Sequence, residues 1–158
     1  MNTSLIQNAS KLLQVQLAPE SGIAPDTASS LCLLSDAAQM LEDSTLPPLR
    51  SARILALYYA VRLAMQCHQA CKAPDSQLAR RLLDGDYLYS VYLDLALKWE
   101  EFDLIAALAP FIKKIQIKRA EGAPQDELLL QGLSRFIRTA CKMLNDSARQ
   151  QTLAAEAI

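Results

Sequence analysis

The chain has 158 residues, a net charge of −1 at neutral pH and no long run of either sign, which excludes the basic footprint of a nucleic-acid binder. A chain of this length makes one domain that buries roughly 70 % of its unfolded surface, and is too short for two ordinary ones. Its 28 leucines and 24 alanines, set against three valines and four glycines, favour helix over strand and predict a single all-α domain over residues 1–158.

In chain order, a first amphipathic helix is predicted from Thr3 to Leu17, with Ile6, Ala9, Leu13 and Leu17 on one face, ending before Pro19 and Gly22. The stretch Met1 to Leu17 lacks the basic start and unbroken apolar run of a signal peptide, so the chain is expected in the cytoplasm. A second helix begins near Asp26, an expected N-cap, with Leu31, Leu34, Ala38 and Leu41 facing inward. A third starts at Pro47-Pro48 and runs to about Lys72. From Ile54 to Met65 it is apolar on nearly all sides, which predicts that other helices surround it. That twelve-residue run, broken by Arg62, falls short of the roughly 20 residues that cross a bilayer, so no transmembrane segment is expected.

Pro74 closes the third helix, and a short basic segment from Gln77 to Leu83, with Arg80 and Arg81, leads to Gly85-Asp86 at the expected start of a fourth. Asp86, Ser90, Asp94 and Lys98 form one polar line along it. Tyr87, Leu88, Tyr89, Val91, Tyr92, Leu93, Leu95, Ala96, Leu97 and Trp99 wrap the rest, more than one core-facing stripe requires. A second buried face follows, met either by another helix of this chain or by a partner protein.

Glu100, Glu101 and Asp103 open a fifth helix and Lys113, Lys114, Lys118 and Arg119 close it before Gly122, charges that suit the helix dipole at both ends. Pro110 inside it predicts a kink near Ala106. A last helix is expected from Pro124 to about Asn145, with Leu129, Leu133, Phe136, Ile137 and Ala140 inward, followed by a fraying tail over residues 146–158. The whole reads as a bundle of about six to eight helices.

Little in the chain resembles catalytic machinery. Gly-rich phosphate loops, paired histidines and Ser/His/Asp arrangements are absent from the sequence. Cys32, Cys67, Cys71 and Cys141 read as reduced thiols. Cys67, His68 and Cys71 could begin a metal site but have no obvious fourth ligand. Asp84 and Asp86, two residues apart on a helix, point in different directions and do not readily share a metal. Asp84 reads as a charge favoured by the helix dipole, and Asp86 does the same or bonds a neighbouring helix. Arg80 and Arg81 read as a solvated pair or as diphosphate ligands. Tyr58, Tyr59, Tyr87, Tyr89 and Tyr92 suit a core or a protein interface, and their concentration on two central helices favours the interface.

Leu83-Asp84-Gly85-Asp86-Tyr87-Leu88-Tyr89-Ser90 resembles the Gly-Asp-Tyr/Phe-Leu segment of the trans-polyprenyl diphosphate synthases. In that family, an aspartate-rich His-Asp-Asp-x-x-Asp motif upstream binds the magnesium that grips the allylic diphosphate. Here the matching place reads Cys67-His68-Gln69-Ala70-Cys71-Lys72-Ala73, with the histidine but without the carboxylates. The resemblance runs from about Pro47 to Gly122. It is sharpest at Leu83 to Ser90 and at Leu104 to Ile115. The chain is similar to the small, non-catalytic subunits of bacterial heteromeric synthases that make hexaprenyl or heptaprenyl diphosphate for menaquinone.

This resemblance implies part of the isoprenoid synthase fold and a regulatory subunit, inactive alone, that completes a heterodimer with a larger catalytic synthase chain and influences product length. It implies no cofactor in this chain, with magnesium in the catalytic partner. It places the dimer interface on the Gly-Asp helix, at Gly85, Asp86, Tyr89, Tyr92, Leu93 and Ala96, while Tyr58, Tyr59 and Tyr92 become candidates for influencing product length. A non-catalytic helical interaction module, such as a homodimeric adaptor, is the alternative.

Overall fold

The computed structural model describes residues 3–72 and 74–156. Among them the chain is all-helical: α1 (Thr3–Gln14), α2 (Thr27–Glu42), α3 (Pro48–Gln69), α4 (Leu78–Lys98), α5 (Phe102–Ala120) and α6 (Leu128–Glu156), with a single 3-10 turn at Pro19–Ser21 between the first two. None of these helices is long and apolar enough to cross a membrane.

Helix α3 is the axis of the fold. Every residue from Ile54 to Val61 is buried, because α1, α2 and α4 all pack on α3. Helices α5 and α6 form a second hairpin that meets α4 through α5 and α2 through α6. The inner faces of α1 (Ile6, Ala9, Leu13) and of α6 (Leu129, Leu133, Phe136, Ile137, Ala140) fall where the periodicity puts them. On α2 the face is turned slightly. Leu34, Ala38 and Leu41 are buried as expected, but Ser30 and Ala37 complete the stripe and Leu31 faces outward.

Capping and polar contacts fix the ends. The Asp26 carboxylate accepts the Ala28 and Ser29 N–H groups at 2.8 and 3.0 Å, as an N-cap should. The Ser30 hydroxyl gives its proton to the Asp26 carbonyl at 2.6 Å, so the buried Tyr59 hydroxyl, 2.7 Å away, donates to Ser30. Arg50 on α3 donates to both carboxylate oxygens of the buried Glu101, at 3.0 and 2.8 Å, and also to Asp103 at 2.9 Å. Its guanidinium also lies 5.8 Å from the Phe136 ring centroid. One arginine thereby joins α3, α5 and α6. Glu101, expected as a dipole charge at the start of α5, serves instead as the acceptor of this bidentate pair.

Several boundaries differ from expectation. Helix α4 begins at Leu78, so Gly85-Asp86 lies inside it and not at its start. Helix α3 ends at Gln69, and α6 starts at Leu128. Helix α5 continues through Pro110. Helix α6 runs past Asn145 to Glu156, exposed from Lys142 onward; residues 157 and 158 of the expected tail, and Ala73, lie outside the described residues.

The α4–α5 connection is a Schellman turn. The Glu101 N–H reaches the Ala96 carbonyl at 2.9 Å, the Glu100 N–H reaches that of Leu97 at 3.1 Å, and Glu100 takes the left-handed φ of 59°. Glycine usually fills that position. With glutamate there, the turn carries no sequence signature, and the two acids read as a helix opening.

Candidate interaction site on α4

The residues singled out by sequence converge at the α3–α4 seam. At its closest point an imidazole stands where a side chain on the facing helix would otherwise be. A Cβ on Gly85 would fall 2.2 Å from His68 Nε2 and 2.3 Å from Cδ2, so only glycine admits the ring at this position. The next residue along flanks it. His68 Nε2 lies 3.2 Å from Asp86 Oδ1, at ion-pair distance but without hydrogen-bond alignment. Tyr89 completes the pocket, its ring centroid 5.7 Å from that of His68. The histidine and the Gly-Asp pair, 17 and 18 residues apart in the chain, are one structural unit.

Of the six expected interface residues, two face outward. Asp86 is 72 % exposed and Leu93 is 45 % exposed. Gly85 is covered by His68, Tyr89 is half-buried, and Tyr92 and Ala96 are enclosed within this chain. The Tyr89 hydroxyl sits near Gln116 and Arg119 of α5 and Asp126 beyond it, without an aligned partner among the described residues; burial pushes its pKa up. The Tyr92 hydroxyl is likewise enclosed without a partner, and burial, reinforced by Tyr89, pushes its pKa up to about 12.

The three candidates for product length lie in the core. Tyr58 and Tyr92 are 3 % exposed and Tyr59 is fully enclosed, so none of them points across a surface. The reason is the packing of α1, α2 and α4 around α3, which takes up the tyrosine bodies that composition alone would send to an interface.

What α4 does present is a leucine strip of which the expected interface contained only Leu93. Leu82, Leu83, Leu93 and Leu97 are each between 44 % and 66 % exposed. At roughly 100° per residue, Leu82, Asp86, Leu93 and Leu97 fall within about 60° of arc and span about 22 Å of helix. Starting the helix at Gly85 excludes Leu82 and Leu83 from it, which is why that end of the strip stayed hidden. The apolar surplus of α4 thus divides in three: α3 covers one part, α5 covers a smaller part, and the leucines remain in solvent.

Other candidate chemistry is committed elsewhere. Arg80 donates to Asp84 at 2.9 Å and to the Ser21 carbonyl, and Arg81 donates to Asp75 at 2.7 Å. Neither guanidinium is a free phosphate ligand, and Asp84, seven residues into α4, serves Arg80 and not the helix dipole. The nearby Tyr87 hydroxyl accepts the Ala18 N–H at 2.7 Å, so Arg80 and Tyr87 together stitch the α1–α2 connection to α4. Burial, then Asp84 and Cys71, push the Cys67 thiol pKa up, which disfavours the thiolate a metal or a nucleophile would need. Among the described residues no three His, Cys, Asp or Glu side chains are placed to hold a metal. One imidazole and one carboxylate do not fit magnesium, which takes oxygen ligands in octahedral array.

No protein-family model, curated protein or solved structure matches this chain. The likeness to the trans-polyprenyl diphosphate synthases therefore rests on the sequence segments alone.

Proposed function

We propose that this chain is a small, non-catalytic subunit of a bacterial heteromeric trans-polyprenyl diphosphate synthase. It binds an aspartate-rich catalytic chain in the cytoplasm, completes the active dimer and influences the length of the hexaprenyl- or heptaprenyl-type product destined for menaquinone. The observation that carries the reading is the leucine strip on α4, the same helix that bears the Leu83–Ser90 segment. A strip of large apolar side chains along one helix is the kind of surface that subunit contacts cover. The sequence supports a division of labour: Gln69, Ala70 and Ala73 stand where the family has carboxylates. Magnesium and the activation of the diphosphate leaving group then belong to the partner.

Influence on product length, in this reading, comes from the outward leucines, since Tyr58, Tyr59 and Tyr92 are enclosed. A growing prenyl chain offers only shape and apolar contact to be measured.

The test is reconstitution with the trans-polyprenyl diphosphate synthase chain of the same organism that carries both aspartate-rich motifs. This chain alone gives no condensation of isopentenyl diphosphate with an allylic diphosphate, and the mixture elongates. Leu93→Lys abolishes the stimulation, and Leu83→Ala or Leu97→Ala shifts the product by one or more isoprene units. Magnesium-dependent turnover by this chain alone, or a synthase chain indifferent to its presence, overturns the proposal.

A further inference from the structure

The leucine strip has a charge in its middle. Asp86 lies between Leu82 on one side and Leu93 and Leu97 on the other, and is 72 % exposed. Among the described residues no lysine or arginine pairs with it. Lys98 is bound to Asp94 at 2.7 Å, Arg80 to Asp84 at 2.9 Å and Arg81 to Asp75 at 2.7 Å. Among the described residues the only basic group at ion-pair distance is His68, whose Nε2 approaches one carboxylate oxygen without hydrogen-bond alignment. Any chain that covers the strip therefore covers a carboxylate, and a carboxylate taken out of water without a partner is strongly unfavourable.

A second copy of this chain does not solve the problem. The midpoint of the strip, between Leu82 and Leu97, falls between Tyr89 and Ser90. An antiparallel twofold pairing about that point sets Asp86 of one copy against Leu93 of the other. Parallel pairing sets Asp86 against Asp86. The first strands the charge on an apolar side chain, and the second adds like-charge repulsion.

We infer that the chain covering α4 is a different protein, and that it brings a lysine or arginine to Asp86 from within an otherwise apolar helix face. This rests on the reading of the strip as a subunit interface. An arginine matches a carboxylate with two parallel hydrogen bonds, and the largely exposed Asp86 side chain beside His68 leaves room for such a contact. The charge would fix the register of the two helices, which leucines alone do weakly, and would admit only partners that carry the cation.

The experiment measures binding of this chain to the aspartate-rich synthase chain over a series of salt concentrations, for the parent protein and for Asp86→Asn, Asp86→Lys, His68→Gln and Leu93→Lys. Circular dichroism and melting temperature check that each variant is folded. The inference predicts that Asp86→Asn weakens binding by about thirtyfold or more and flattens its salt dependence. It predicts that Asp86→Lys abolishes binding, while His68→Gln, which removes only the intrachain neighbour, leaves it close to the parent. If Leu93→Lys abolishes binding but Asp86→Asn binds as tightly as the parent with the same salt slope, the cation is overturned and the interface stands. If Leu93→Lys binds like the parent, the interface itself is misplaced. Sedimentation of this chain alone completes the set: a monomer supports the inference, and a dimer dispersed by Leu93→Lys overturns it.

Discussion

Helices α3 and α4 are both rich in apolar residues, yet one is wrapped and the other is half bare. On α3 every residue from Ile54 to Val61 is buried, while on α4 buried Leu88, Val91, Tyr92, Leu95 and Ala96 alternate with exposed Leu82, Leu83, Leu93 and Leu97. The difference lies in the supply of neighbours. Helix α3 has α1, α2 and α4 around it, and α4 has α3 and a sparser contact with α5. An apolar surplus on a helix predicts only that something covers it; whether that cover comes from the same chain depends on how many helices are left to provide it.

The widest break in the comparison is between two leucines. Leu55→Ala, in the sealed part of α3, costs about 2–5 kcal/mol of stability through lost burial and the cavity left behind. Leu93→Ala on the isolated chain changes stability by less than about 0.5 kcal/mol. Chemical denaturation of both variants reads the contrast, and a large loss at Leu93 would mean that this face is already packed.

The seam between the two helices comes next. Gly85→Ala drives a methyl group into the His68 ring and should cost about 1–3 kcal/mol. In a His68→Ala background the obstruction is gone, and the same substitution becomes stabilising by about 0.5–1 kcal/mol, because alanine suits a helix interior better than glycine. Thermal melts of the four proteins in this cycle decide it. A Gly85→Ala penalty that persists without the imidazole would show that something other than His68 demands the glycine.

At the end of α4, Glu100→Gly should raise stability by about 0.5–1 kcal/mol by relieving the left-handed backbone at φ 59°. A loss on this substitution would assign the Glu100 side chain a role that outweighs its strain.

The smallest effect concerns alkaline pH. The Tyr92 hydroxyl is enclosed, and burial pushes its pKa up to about 12 from an ordinary value near 10. Above pH 10 the unfolded chain releases this proton while the folded chain keeps it, so stability falls as pH rises through that window. Tyr92→Phe removes one contribution to the fall and strands no partner, whereas Tyr58, Tyr59 and Tyr89, also raised by burial, keep theirs. The melting temperature of the variant should therefore decline less steeply between pH 10 and 12. An identical decline would place the Tyr92 hydroxyl in contact with water.

The comparison also shows which features sequence can carry. The all-α class, the Asp26 cap, the sealed centre of α3 and the inner faces of α1 and α6 follow from local rules, since period, caps and proline positions act within a few residues of where they are read. The site was legible in part. His68, Gly85 and Asp86 each stood out, but their meeting depends on how α3 and α4 cross, and no spacing along the chain encodes that. The phase of α4 was lost because Gly85 reads as punctuation, whereas here it is a slot for an imidazole in the middle of a helix. Gly132 does the same job between α5 and α6, where a Cβ would lie 2.8 Å from the Phe111 ring. Tyr58, Tyr59 and Tyr92 were misplaced for a related reason: an amphipathic ring fits core and interface alike, and packing chose the core.

The central claim, that another chain covers the outward leucines of α4, is tested most directly by hydroxyl-radical footprinting of this protein alone and mixed with the aspartate-rich synthase chain. Alone, Leu82, Leu83, Leu93 and Leu97 should oxidise readily, as should Val15, Leu49 and Leu153, which are exposed elsewhere on the chain. In the mixture the account predicts that the four α4 leucines become protected while Val15, Leu49 and Leu153 stay reactive. Protection that falls on those three positions and spares Leu93 and Leu97 would contradict it.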